Sequence, residues 1–210
     1  MKKSDESGIR IRGAALLMPL LAAGCMDLSQ RYPDARFHDI NVTRPGPRAE
    51  GTPGAVLKIR RFRVSPRYEG VELVTRTSEL QYESDFYNKL FVPPASMLTD
   101  EVRRWLEMSG AFEHVLDYSS HLDATHVLEA SVAALHGDAV DPAAPKAVIE
   151  IQFFVIDDRG APPSVSFRKN YRREIAIKES KADALVRGWA DGLTQILAEF
   201  EGDLRKVKLK

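Results

Sequence analysis

Cys25 is the sole cysteine of the 210 residues, and its neighbours announce a chemistry for it. It closes the run Leu20-Leu21-Ala22-Ala23-Gly24-Cys25, behind a basic start (Lys2, Lys3, Arg10, Arg12) and ten uncharged, mostly apolar residues at 14–23. That layout predicts a lipoprotein signal over residues 1–24: the chain is cut before Cys25, whose thiol and freed amine then carry acyl chains. Ten residues rise only about 15 Å as a helix, half of a ~30 Å hydrocarbon core, so the stretch is too short to span a bilayer. The bland alternative is a buried free thiol following a helix start. Met26, not Asp, follows Cys25. In enterobacterial-type sorting that favours release to the outer membrane, on the periplasmic side of the envelope.

No catalytic constellation accompanies the cysteine. G-x-S-x-G, H-E-x-x-H and a phosphate-cradling glycine loop are all missing, so no enzyme and no cofactor are expected. The five histidines (38, 114, 121, 126, 136) show no paired helical spacing. A metal site from His121, His126 and His136 can be drawn on paper, but turn and strand-end histidines explain them better. With 30 basic and 30 acidic residues overall, and four and two of these before Cys25, the mature chain carries a net charge of −2. Neither a nucleic-acid footprint nor a polybasic membrane patch fits that balance. One cysteine also excludes a disulfide framework, so the fold must rest on a core drawn from the 44% apolar residues.

The last chemically suggestive group is aromatic. Tyr82, Phe86, Tyr87 and Phe91 fall within ten residues, beside Arg76 and the Pro93-Pro94 stop. Strict alternation places Tyr82 and Phe86 on one face of a strand, Tyr87 and Phe91 on the other. Helices covering one face of a sheet leave one of these pairs exposed, so the segment reads either as a proline-terminated edge strand or as a contact surface. The arginines Arg60, Arg61 and Arg63 read as a solvated strand face.

The elements that position these residues follow from periodicity. Residues 25–54 lack a sustained apolar period and carry four prolines (Pro33, Pro45, Pro47, Pro53), which predicts a flexible tether spanning at most about 95 Å. The domain is expected over 55–210. Residues 55–65 and 68–91 read as extended, with turns around Gly70 and Ser84. Leu98, Val102, Trp105 and Leu106 mark a helix over 95–109, with Thr99 as N-cap and Gly110 as its stop. Alternating residues predict strands at 125–135, 147–156 and 165–177, closely spaced enough to form an antiparallel meander. A broad apolar arc from Ala182 through Trp189 and Phe200 to Leu204 marks a long helix, with Ser180 as its cap. Its Gly188 and Gly192 predict close approach of a neighbour within the fold. The expected class is α+β: a single antiparallel meander sheet with two helices packed on one face.

An ordered set of short segments also resembles a known family. Leu57-Lys58-Ile59-Arg60-Arg61-Phe62, Val74-Thr75-Arg76-Thr77-Ser78, Tyr82…Tyr87-Asn88 and Pro93-Pro94-Ala95-Ser96-Met97-Leu98 open it. Trp105-Leu106…Ser109-Gly110-Ala111-Phe112, Leu128-Glu129, Gly137-Asp138, Ala147-Val148-Ile149-Glu150 and Ala184-Leu185-Val186 continue it. Together they resemble the ABC-type transport auxiliary lipoproteins, the paraquat-inducible protein C-like components of MCE systems, departing at Phe91-Val92 where many members carry Trp. The resemblance implies a non-enzymatic lipoprotein working with a periplasmic MCE-type lipid-binding protein and an inner-membrane ABC permease and ATPase, moving lipids or hydrophobic compounds between the two membranes. The aromatic segment read above, Tyr82, Phe86, Tyr87 and Phe91 with Arg76, is then the expected contact for the MCE-type partner or for a second copy of the chain. An outer-membrane assembly lipoprotein that chaperones or plugs a β-barrel shares the anchor, tether and α+β domain. A lipoprotein enzyme is disfavoured by the missing catalytic motifs.

Overall fold

A computed structural model describes residues 34–207, so the signal segment and Cys25 lie outside the described residues. The organising element is β7 (His126–Asp138), whose buried positions alternate over most of its length. Before it come β1 (Arg36–His38), β2 (Val56–Ile59), β3 (Arg63–Val64), β4 (Glu72–Arg76), β5 (Tyr82–Leu90), helix α1 (Pro94–Ser109) and β6 (His114–Asp117). After it come β8 (Lys146–Asp157), β9 (Ser164–Ala176) and helix α2 (Ala182–Leu204). Along one edge β7 pairs antiparallel with β8, which pairs antiparallel with β9. Along its other edge β2, β3 and β4 follow one another, each parallel to β7.

The sheet is therefore a nine-stranded mixed sheet, which corrects the expected single antiparallel meander. The meander holds only for β7 to β9, where short turns leave no room for anything but hairpins. The earlier strands reach β7 from a distance, and α1 supplies part of the crossover that lets β2 and β6 lie parallel. Alternation tells which face of a strand is buried; it does not tell the direction of the neighbour. β1 and β6 had no strand signal at all, being three and four residues long.

The two helices share one core with the sheet face carrying Ala147, Ile149, Ile151, Phe153 and Val155. Phe200 of α2 stacks on Phe153 at 4.3 Å, and Trp105 of α1 donates through Nε1 to Glu201 of α2 at 3.0 Å. Trp189 is 1% exposed and donates to the His136 carbonyl at 3.3 Å. Pro93, not Thr99, is the N-cap residue of α1. Thr99 sits within the helix, where its hydroxyl bonds the Ala95 carbonyl and accepts from the Phe62 amide, so its capping chemistry serves the strand connection instead. Gly110 ends α1 with φ of 71°, a left-handed cap. Lys181 takes the cap position of α2 in place of Ser180.

Residues 34–54 are not the tether expected of them. After β1, Ile40 is fully buried and its amide points at Met97 Sδ; Val42 N donates to Glu101 and Ala49 N to the Met108 carbonyl. The segment is a strap laid along α1. Arg44 locks it, with Nε and Nη2 donating to the two oxygens of Glu201 at 2.8 and 2.9 Å. These bonds, helped by Arg205 and Trp105, outweigh burial and hold the Glu201 carboxyl down at about 2. Apolar residues too sparse to show a period are enough when each is buried individually. The packed domain begins at Asp34.

Candidate functional site

The predicted contact residues lie on the β4–β5 hairpin, whose register runs from Arg76↔Tyr82 to Glu72↔Lys89. Between these ends β5 bulges: Leu73 faces Asp85 while the next residue, Glu72, faces Lys89, so Phe86, Tyr87 and Asn88 have no partner on β4. Asp85 holds the bulge, accepting the Tyr87 and Asn88 amides at 2.9 and 3.0 Å and the Asn88 side-chain amide at 2.8 Å. Burial works against the Asp85 carboxylate, but these hydrogen bonds prevail and lower its pKa. The bulge also breaks the expected alternation: the Phe86 and Tyr87 rings meet edge to face at 5.3 Å instead of pointing to opposite faces.

The structure sorts the five residues into two groups at opposite ends of the hairpin. At the turn end, Arg76 donates to the Ser78 carbonyl and pairs with Asp138 at 3.5 Å. Tyr82 packs on His136, which is stacked on Tyr68 at 5.4 Å. His136 reaches this outer face because β7 bulges between Val132 and Ala134, switching the side of the residues beyond it. Burial lowers the His136 pKa, and Nδ1 has no hydrogen-bond partner. The turn itself presents Leu80 at 90% exposure.

At the far end, Phe86, Tyr87 and Phe91 are joined by Phe37 from β1, which packs on Phe91 edge to face at 6.2 Å. β1 is an outer strand of the sheet, parallel to β5, with Phe37 opposite Lys89. His38 Nε2 contacts Asn88 Oδ1 at 3.1 Å, which ties β1 to the bulge. Sequence reasoning missed Phe37 and Leu80. Phe37 lies in the segment read as tether, and a lone apolar residue in a polar turn gives no signal before its exposure is known.

His126 and His136 occupy opposite ends of β7, and among the described residues no three His, Cys, Asp or Glu side chains could hold a metal ion. His126 is buried against Phe112, with Thr125 Oγ1 at 2.9 Å from Nδ1. Arg60, Arg61 and Arg63 are exposed on a shallow cleft, Arg60 paired with Glu129 at 2.5 Å. Gly188 and Gly192 seat α2 on β8: a Cβ on Gly188 would meet Ala147 Cβ at 2.5 Å, and one on Gly192 would meet Ile149 Cγ2 at 2.8 Å. Among the described residues no helix is long and apolar enough to cross a membrane.

No family model matches the chain, and no curated protein matches it. Its fold is nevertheless found among solved structures. A Xanthomonas campestris protein of the family model DUF330 superposes with a TM-score of 0.66 at 16% identity, over 79% of this chain and 92% of that one. An uncharacterized protein superposes with a TM-score of 0.64, also at 16% identity, over 82% of this chain and 99% of the other. At that identity the likeness establishes the fold: a mixed sheet with two helices.

Proposed function

We propose that this chain is a lipid-anchored protein of the cell envelope that acts, without catalysis of its own, as an adaptor in an ABC/MCE-type system moving lipids or hydrophobic compounds between the membranes. The observation that carries the reading is Cys25, set behind an apolar core and nine residues ahead of a packed domain. The ordered segments from Leu57 to Val186 support the assignment to the auxiliary lipoproteins, and Met26 after the cysteine favours the outer membrane. In this reading the exposed side chains at the two ends of one hairpin are contact surfaces.

In this reading the turn end receives the protein partner. Leu80 projects there beside Tyr82 and Arg76, an apolar knob with an aromatic and an arginine at its base, the composition of a binding hot spot. The experiment is cross-linked affinity capture of the tagged full-length chain from cell envelopes. Capture of an MCE-type protein and its permease is expected, weakened by Leu80→Asp and Tyr82→Ala variants that remain folded. Capture of a β-barrel assembly partner in their place would overturn the reading in favour of an assembly lipoprotein.

A further inference from the structure

We propose that the other end of the hairpin, built from Phe37, Phe86, Tyr87 and Phe91, rests in the interfacial zone of the phospholipid bilayer to which the chain is anchored. The inference rests on acylation of Cys25. Phe37, Phe86 and Phe91 are 60%, 69% and 70% exposed, and Val92 and Tyr87 adjoin them with more than a third of their surface in solvent. Exposed phenylalanines gathered at one place mark a contact site, since single apolar residues scattered over a surface need no explanation but a cluster does.

The chain outside the structure says what covers it. Residues 1–33 precede Asp34, and the acylation site lies eleven residues before Arg36, the first residue of β1. Eleven residues span at most about 40 Å in any conformation. That is less than half the reach of a tether extending to residue 54, because the strap along α1 takes up the difference. Phe37 belongs to the strand that the anchored chain enters first. The patch is thus the part of the domain closest along the chain to the acyl group.

Its chemistry suits a bilayer interface better than a protein hot spot. The arginine that would complete a hot spot, Arg76, is at the other end of the hairpin and engaged with Asp138. Lys89 lies with its ammonium 5.2 Å from the Phe86 ring centroid and 3.5 Å from Glu72, a long stem along aromatic surface with a polar head at the rim. Arg36 shares a cleft with Asp85, Glu179, Lys181 and Asp183, and Asp34 and Asp39 flank β1 in sequence, so charges of both signs rim the patch. Tyr and Phe seated at headgroup depth, with Lys and Arg flanking, are the pattern of interfacial anchors. Acyl chains hold the protein to the membrane; the patch fixes which way the domain faces, leaving Leu80 and Tyr82 turned towards the periplasm.

The test uses the full-length lipidated protein in phosphatidylethanolamine–phosphatidylcholine vesicles. Acylated Cys25 offers no free thiol, so Phe86→Cys, Phe91→Cys and, as a distant control, Val165→Cys can each carry one nitroxide. Mass spectrometry of Cys25 reads the anchor, and relaxation by oxygen against a water-soluble nickel chelate reads depth. The expected result is acylated Cys25 with the labels at 86 and 91 shifted towards oxygen accessibility, while the label at 165 remains in water. Acylated Cys25 with all three labels equally open to nickel would overturn the bilayer contact and leave the anchor intact. Dipolar broadening between labels at 86 or 91 would put a second copy on the patch and overturn it likewise. An unmodified Cys25 would overturn the proposal together with the reading it rests on.

Discussion

Gly188 gives the sharpest quantitative prediction, because two opposing effects act there and the structure decides between them. Replacing a helix-interior glycine by alanine gains about 1 kcal/mol from backbone entropy alone. At Gly188 the new methyl would lie 2.5 Å from Ala147 Cβ and 3.0 Å from Ile177 Cγ2. Ala147 Cβ is fixed to the backbone of β8 and cannot rotate away, so α2 must lift or β8 must shift. Overpacking of this kind costs about 1–3 kcal/mol, so Gly188→Ala should be destabilising by up to about 2 kcal/mol net. In a domain of this size that lowers Tm by up to roughly 8 °C. Gly202 is the control on the same helix, with open space around its Cα, and Gly202→Ala should stabilise by about 0.5 kcal/mol. Urea unfolding followed by the fluorescence of buried Trp105 and Trp189 measures both. Adding Ala147→Gly to Gly188→Ala should recover part of the loss beyond additivity. A Gly188→Ala protein more stable than the parent would refute the seating of α2 on β8.

Four further outcomes follow from the same contacts. Trp189→Ala should cost about 3–5 kcal/mol, read in the same urea experiment, since the ring is buried and its N–H is bonded. Arg44→Ala should cost about 2 kcal/mol by removing two bonds to a buried carboxylate, and should expose the strap over α1 to faster amide exchange at Val42. Glu201 is held at about 2 against an ordinary 4.5, so its contribution is present above pH 4.5 and lost as the pH falls from there to about 2; Glu201→Gln should flatten that stretch of the stability–pH curve. His136 is held neutral by burial, so stability should fall as the pH drops below about 6.5, where the unfolded chain takes up a proton that the folded chain resists; His136→Phe should reduce that slope.

Much of the architecture is legible in the sequence where burial is periodic. Leu98, Val102, Trp105 and Leu106 locate α1, the arc from Ala182 to Leu204 locates α2, and alternation locates β7, β8 and β9 to within a few residues. The long-range pairing is not legible. Parallel registry of β2, β3 and β4 along β7 is set by crossovers and by which edges remain free, neither of which leaves a local period. The bulges are equally silent. One at Val132 moves His136 to the outer face, and one at Glu72 throws Phe86 and Tyr87 together, so alternation correctly names the aromatic residues and wrongly sorts them. Prolines at 45, 47 and 53 suggest a loose segment, yet Ile40, Val42 and Arg44 bind it to the domain one contact at a time.

The central claim is that the domain beginning at Asp34 is carried on an acylated cysteine eleven residues before β1. It is tested most directly by intact-mass and peptide mass spectrometry of the protein purified from its own membranes. The account predicts a mature chain starting at Cys25, with acyl chains on its thiol and amine, and an unacylated precursor when Cys25 is changed to Ser. A chain that retains Met1 and an unmodified Cys25 thiol would contradict it.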